Sequence, residues 1–153
     1  MSMTYITPPA TYSEWSVILG RLKEQVDDAA VLDAMQQGKI EWQTGVAERF
    51  TRKLVDVINF RMNMAIDKFQ LEMKRSSGQE RLIIQALIAL RKELLFLSKA
   101  VCIPAIPEKN RIQYQQLIIS QANSIQSSLE ESAKQDRSGK LACIVKNTKV
   151  NMF

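Results

Sequence analysis

The sequence predicts an all-α fold, a helical bundle of three long helices preceded by two short N-terminal ones. Apolar residues recur every three to four positions, which is the period of a helix with a buried face. Gly, Pro and Ser occur at a few positions that separate helix-length segments. The composition, 153 residues with 46% hydrophobic and 24% charged, suits one domain with a real core and excludes collagen-like and disordered chains.

Two short helices are predicted before Gly38. Thr11 and Glu14 have the spacing of a capping box, in which the two side chains cap the same helix N-terminus, and a helix to about Val26 follows. Asp27 or Asp28 is placed to cap the second helix, and the glycine ends it.

Three long helices follow, at about 45–75, 78–102 and 107–137. Thr44 is the predicted cap of the first. Ser77 and Glu80 have capping-box spacing at the start of the second, and Pro107 suits the first turn of the third. At a rise of 1.5 Å per residue, each helix would be about 40 Å long.

The long helices differ in how many faces they must bury. The first has a narrow polar stripe, formed by Glu48, Arg52, Asp56, Asn59, Asn63, Asp67, Gln70 and Lys74. The second has an apolar seam at alternating four- and three-residue steps, formed by Ile83, Leu87, Leu90, Leu94, Leu97 and Val101. A second apolar face of this helix contains Ile84, Ile88 and Leu95. Only the third helix is one-sided, with Ile118, Ala122, Ile125, Leu129 and Ala133 facing the core.

Apolar faces therefore outnumber the helices available to cover them. We predict that a homodimer completes the burial, with Ile84, Ile88 and Leu95 at the interface, because two-fold dimers are the commonest oligomers. The alternative is that the short N-terminal helices and the C-terminal tail cover these faces.

We predict a single helical-bundle domain over residues 1–138 and a partly ordered basic tail over residues 139–153. The tail contains no acidic residue. Its run from Leu141 to Val145 fits either a short strand or a segment packed on the bundle. Cys102 and Cys143 are too few for a disulfide scaffold, so we expect two buried thiols in a reducing compartment.

The composition excludes several classes of function. The chain has no His, which removes His-based dyads and His-ligated zinc or haem sites. No Gly-rich phosphate loop occurs, and the adjacent carboxylate pairs point about 100° apart on a helix. We therefore predict no enzymatic activity, cofactor or metal. With neither a signal peptide nor a membrane span recognisable, we expect a cytoplasmic protein.

The net charge of +5 is unevenly distributed. Residues 1–48 contain 3 basic and 7 acidic side chains, whereas residues 49–75 contain 7 and 3. The candidate residues for binding nucleic acid or an acidic partner are Arg61, Lys68 and Arg75, which repeat every seven positions, and Lys140, Lys146 and Lys149. Two other interpretations stay open: a solvated face, and pairing of these residues with the acidic N-terminal third.

Large aromatic residues are concentrated near the N-terminus. Tyr12, Trp15 and Trp42 could anchor a partner, but core packing is the favoured interpretation.

The predicted function is a non-enzymatic protein-interaction or regulatory module that acts as a homodimer on another macromolecule. An accessory nucleic-acid-binding protein that uses the basic residues is the alternative. An enzyme or small-ligand binder with a pocket between helices is a third, weaker hypothesis.

Overall fold

The structure is a computed structural model that describes residues 5–40 and 45–152, and it is all-α. Its helices are α1 (Tyr12–Glu24), α2 (Asp28–Gln37), α3 (Val46–Arg75), α4 (Glu80–Val101), α5 (Glu108–Lys134) and α6 (Lys140–Asn147). No strand occurs in the two described ranges. The predicted all-α class is confirmed, and helices of 30, 22 and 27 residues occupy the ranges predicted to be long. None of the helices described is long and apolar enough to cross a membrane.

The described chain divides into two compact units. Unit 1 comprises residues 5–40, 45–61 and 99–114, and unit 2 comprises residues 62–98 and 115–152. α1 and α2 belong to unit 1, and α6 belongs to unit 2, whereas α3, α4 and α5 supply residues to both.

The capping box that opens α1 is present in unit 1. The backbone N–H of Glu14 donates to Oγ1 of Thr11 at 3.2 Å, and the backbone N–H of Thr11 donates to Oε1 of Glu14 at 3.2 Å. The two bonds satisfy N–H groups that a helix N-terminus otherwise leaves unpaired. α1 ends at Glu24, and the left-handed φ of 60° at its C-cap residue, Gln25, turns the chain towards α2.

Trp15 is the centre of the unit 1 core. Its side chain is fully buried, and its ring lies edge-on to Phe50 with the centroids 5.0 Å apart. The indole Nε1–H donates to the carbonyl of Lys39 at 2.8 Å, and the backbone N–H of Lys39 donates to the carbonyl of Pro9 at 2.8 Å. Core packing is thus confirmed for this residue; Tyr12 is half-buried, and Trp42 lies outside the described residues.

The cap predictions for the next helices have different outcomes. Asp27 is the N-cap of α2, but its side chain makes no capping hydrogen bond, and its φ of 53° is left-handed. The predicted capping box at Ser77 and Glu80 is wrong. Such a box requires Glu80 at the third position of the helix, whereas α4 begins at Glu80. Ser77 and Gly78 are both left-handed, with φ of 50° and 79°, as the tight turn after α3 requires. Thr44 lies outside the described residues.

The predicted buried and polar faces agree with the observed burial. Every residue of the predicted α4 seam is buried, and every residue of the predicted α3 polar stripe is exposed. On α5, Ile118, Ala122, Leu129 and Ala133 are buried, whereas Ile125 is half-buried. A period of 3.6 residues was therefore sufficient to sort these side chains.

The C-terminal segment contains a helix. The strand interpretation of Leu141–Val145 is wrong, because the run lies within helix α6, whose Ile144 and Val145 are buried in unit 2. Both cysteines are free thiols, but Cys143 is exposed and Cys102 is half-buried, so the expectation of two buried thiols is also wrong. Cys143 lies one position before the buried pair and therefore falls on the outer side of α6.

Candidate functional site

Arg61 is buried in unit 1 rather than exposed on a basic face. Its side chain has no exposed surface, and it makes a bidentate ion pair with Asp28, with NH1 3.0 Å from Oδ1 and NH2 2.8 Å from Oδ2. NH1 also donates to the carbonyl of Leu22 at 3.0 Å. The guanidinium thus connects the end of α1 and the start of α2 to α3. For Arg61, pairing with the acidic N-terminal third is the arrangement observed, and a solvent-facing phosphate contact is not.

Lys68 and Arg75 remain on the surface of unit 2. Nζ of Lys68 lies 3.9 Å from Oε1 of Glu72. Because the lysine side chain is 74% exposed, this ion pair contributes little to stability. Met64 and Leu71 lie on the same side of α3 and are 48% and 47% exposed. Met64, Lys68, Leu71 and Arg75 fall within about 60° of the helix circumference, and we call them the α3 stripe.

The tail lysines lie beside a surface groove in unit 2. The groove has a volume of about 300 Å³ and runs between α5 and the α6 segment. Lys146 and Lys149 line it together with Lys134 of α5, whereas Lys140 is exposed at the first position of α6. We call this feature the α5–α6 groove. Lys134 is not marked out by the sequence, because no helical period relates it to lysines beyond the turn that follows α5.

Gln126 of α5 connects this helix to the C-terminal segment of unit 2. It is only 4% exposed, and its side-chain Nε2 donates to Oε1 of Glu130 at 3.1 Å and to the carbonyl of Val145 at 3.5 Å. Its Oε1 accepts from the backbone N–H of Val150 at 3.1 Å. A buried amide with both ends bonded holds the C-terminal segment against α5.

Asp136 fixes the other end of α6. Its Oδ2 accepts from the backbone N–H of Leu141 at 3.0 Å, and its carboxylate also accepts from the hydroxyl of Ser138. These bonds, with the Leu141 bond the strongest influence, lower the pKa of Asp136 below its ordinary value, and nearby Lys140 adds to the effect. The carboxylate therefore supplies the cap that Gly139, the N-cap residue of α6, lacks.

We expect the N-terminus of α6 to loosen as the pH falls through the lowered pKa of Asp136, which lies below 3.8. The folded state favours the carboxylate, so its contribution to stability is complete above the unfolded pKa and disappears in acid. An NMR titration of the Leu141 amide should report this pKa. The titration step should vanish in Asp136→Asn, whose amide oxygen can still cap the helix; a midpoint at or above 3.8 in the unmodified chain contradicts the assignment.

The proposed dimer residues Ile84, Ile88 and Leu95 are all half-buried. Arg91 lies on the same face of α4, and its NH1 donates to the carbonyl of Lys149 at 3.4 Å. The segment after α6 thus contacts the face that the sequence left without cover. Within residues 5–40 and 45–152, no group of three or more Cys, Asp or Glu side chains is placed to hold a metal ion.

No protein-family model matches the chain, and neither a curated protein nor a solved structure is significantly similar to it.

Proposed function

We propose that this chain is a non-enzymatic helical module for protein interaction or regulation that works by binding another macromolecule, in the first place a protein. The observation that supports this proposal most is the α3 stripe, where Met64 and Leu71 expose nearly half of their surface. Phe60, which is also exposed on α3, differs from them because the Lys23 ammonium covers its ring at 4.7 Å. Met64 and Leu71 are spaced at i and i+7, as the apolar anchors of a helix that packs against a partner are. Met is also adaptable in shape, which suits a binding surface.

We also propose that the long helices form a bundle and that the chain acts as a homodimer. Ile84, Ile88 and Leu95 support the dimer, because they lie on one side of α4 and stay half-buried although the segment after α6 contacts Arg91 on that side. A two-fold axis would let each copy cover the same face of the other.

Accessory nucleic-acid binding is the second candidate. Lys68, Arg75, Lys140 and Lys146 are exposed and available for phosphate contacts. Two observations favour a protein partner instead. Arg61 is engaged by Asp28, and the basic residues of the α3 stripe alternate with apolar side chains that a phosphate backbone would leave unused.

An affinity capture from the native cell tests the proposal. The unmodified chain should retain partner proteins that Met64→Ser/Leu71→Ser loses by tenfold or more. Val17→Ser/Ile112→Ser is the matched control, since it removes two apolar side chains that are 61% and 53% exposed elsewhere.

Sedimentation equilibrium tests the dimer, with an expected mass of twice the single chain. Equal capture by both variants, together with a concentration-independent monomer, overturns the proposed function. Capture that nuclease treatment abolishes supports the nucleic-acid candidate and overturns the protein partner.

A further inference from the structure

We propose that the α5–α6 groove is a binding site for an acidic amphipathic segment of a partner protein. The inference rests on the proposed function, because it names the chemistry of one partner. It adds a site separate from the α3 stripe.

The lining of the groove combines an apolar floor with a positive rim. Ala133 and Val145 form the buried part of the floor, at 6% and 2% exposed, and Ala142 extends it. The rim contains three ammonium groups, on Lys134, Lys146 and Lys149, and one carboxylate, on Glu130. Lysine rims around an apolar floor suit an apolar side chain flanked by Asp or Glu, since each part of such a segment meets its complement.

The charges of the rim sum to a positive value, because three ammonium groups stand against one carboxylate. Lys134 lies 3.5 Å from Glu131, but the two side chains are 74% and 70% exposed, so water screens this pair strongly. The Glu130 carboxylate accepts a hydrogen bond from the Gln126 amide. The rim therefore presents a net positive charge to a ligand.

Both ends of the groove are held by polar contacts within unit 2. Gln126 bonds to Val145 and Val150 near the end of α6, and Asp136 caps the start of α6 through Leu141. A groove whose walls are already fixed loses little conformational entropy when a ligand enters.

The lining favours a peptide over a single-stranded nucleic acid. Such nucleic acids are bound by a basic channel with aromatic rings on which the bases stack. The lining contains Ala and Val but no aromatic side chain. The apolar floor can bury the apolar side chains of a peptide, whereas a phosphate backbone has no apolar groups to place there.

A titration with a synthetic peptide tests the site. The probe is a fluorescent 12-residue helix with Leu on one face and Glu on the other, and a second probe has Gln in place of Glu. We expect saturable binding of the Glu probe, a loss of tenfold or more for the Gln probe, and amide shifts concentrated at Ala133, Ala142 and Val145.

Two charge-matched variants locate the binding. Lys146→Glu/Lys149→Glu should weaken binding by tenfold or more, and Lys146→Gln/Lys149→Gln serves if the reversal disturbs folding. Lys68→Glu/Arg75→Glu makes the same change of charge on the α3 stripe and should alter affinity less than twofold.

Equal losses in the two reversal variants, or no saturable binding of the Glu probe, overturn the groove assignment. A loss confined to the α3 variant also overturns it but supports the proposed function, so the two failures are distinguishable. A single-stranded oligonucleotide that binds more tightly than the Glu probe and depends on Lys146 and Lys149 overturns the choice of a peptide.

Discussion

Replacing Asp28 with Asn is expected to destabilise the protein by about 3 kcal/mol, because the substitution breaks the bidentate ion pair that Asp28 makes with the buried guanidinium of Arg61. The arginine side chain has no exposed surface, so water cannot replace the carboxylate. The Asp28 side chain is 32% exposed and an amide can still accept a hydrogen bond, which places the effect at the lower end of those for broken buried pairs. Chemical denaturation of the two proteins measures the difference in the free energy of unfolding.

Asp27→Asn is the matched control for this prediction. Asp27 is exposed, makes no capping hydrogen bond, and lies in a left-handed conformation that Asn also tolerates. Its substitution should change stability by less than about 0.5 kcal/mol. Adding Arg61→Met to Asp28→Asn should recover much of the loss, because the buried guanidinium whose ion pair was broken is then removed. Equal effects of the two Asn variants would show that the ion pair is not stabilising.

Gly38→Ala is expected to destabilise the protein by about 2 kcal/mol, because the added methyl group overpacks the unit 1 core. The backbone conformation does not require glycine, since φ is −71° and ψ is 158°. The space around the residue does require glycine, because a Cβ at Gly38 would lie 2.6 Å from Cζ2 of Trp15 and 3.0 Å from Cγ of Pro9. The Trp15 ring is held by its contact with Phe50 and by its hydrogen bond to Lys39, so a shift of the ring to make room would weaken both interactions.

Gly20→Ala should change stability in the opposite direction. Gly20 lies inside α1, and an added methyl group would meet nothing within 4 Å. Alanine also favours a helix over glycine by about 0.5–1 kcal/mol. Thermal unfolding should therefore give a lower Tm for Gly38→Ala and a higher Tm for Gly20→Ala. An unchanged or higher Tm for Gly38→Ala contradicts the close contact at Trp15, and a lower Tm for Gly20→Ala contradicts the open space at Gly20.

The positions of the helices and their buried faces could be predicted from residues close together in the sequence. The α4 seam from Ile83 to Val101 is buried, and the α3 polar stripe from Glu48 to Lys74 is exposed, as the 3.6-residue period predicts. The capping box of Thr11 and Glu14 forms because all of its groups lie within four consecutive residues. The same spacing at Ser77 and Glu80 does not form a box, since the turn after α3 imposes left-handed backbone there.

The roles of the charged residues required contacts between residues far apart in the chain. Arg61, Lys68 and Arg75 are equivalent by their seven-residue spacing, yet only Arg61 reaches Asp28, which lies 33 positions away. Lys134 joins Lys146 and Lys149 only because the chain turns after α5 and Gln126 holds the returning segment. The helical periodicity of apolar residues involves only residues that are close together along the chain, and it distinguishes buried from exposed positions. Charge pairing and groove formation depend on which elements meet in space, so the tertiary structure decided them.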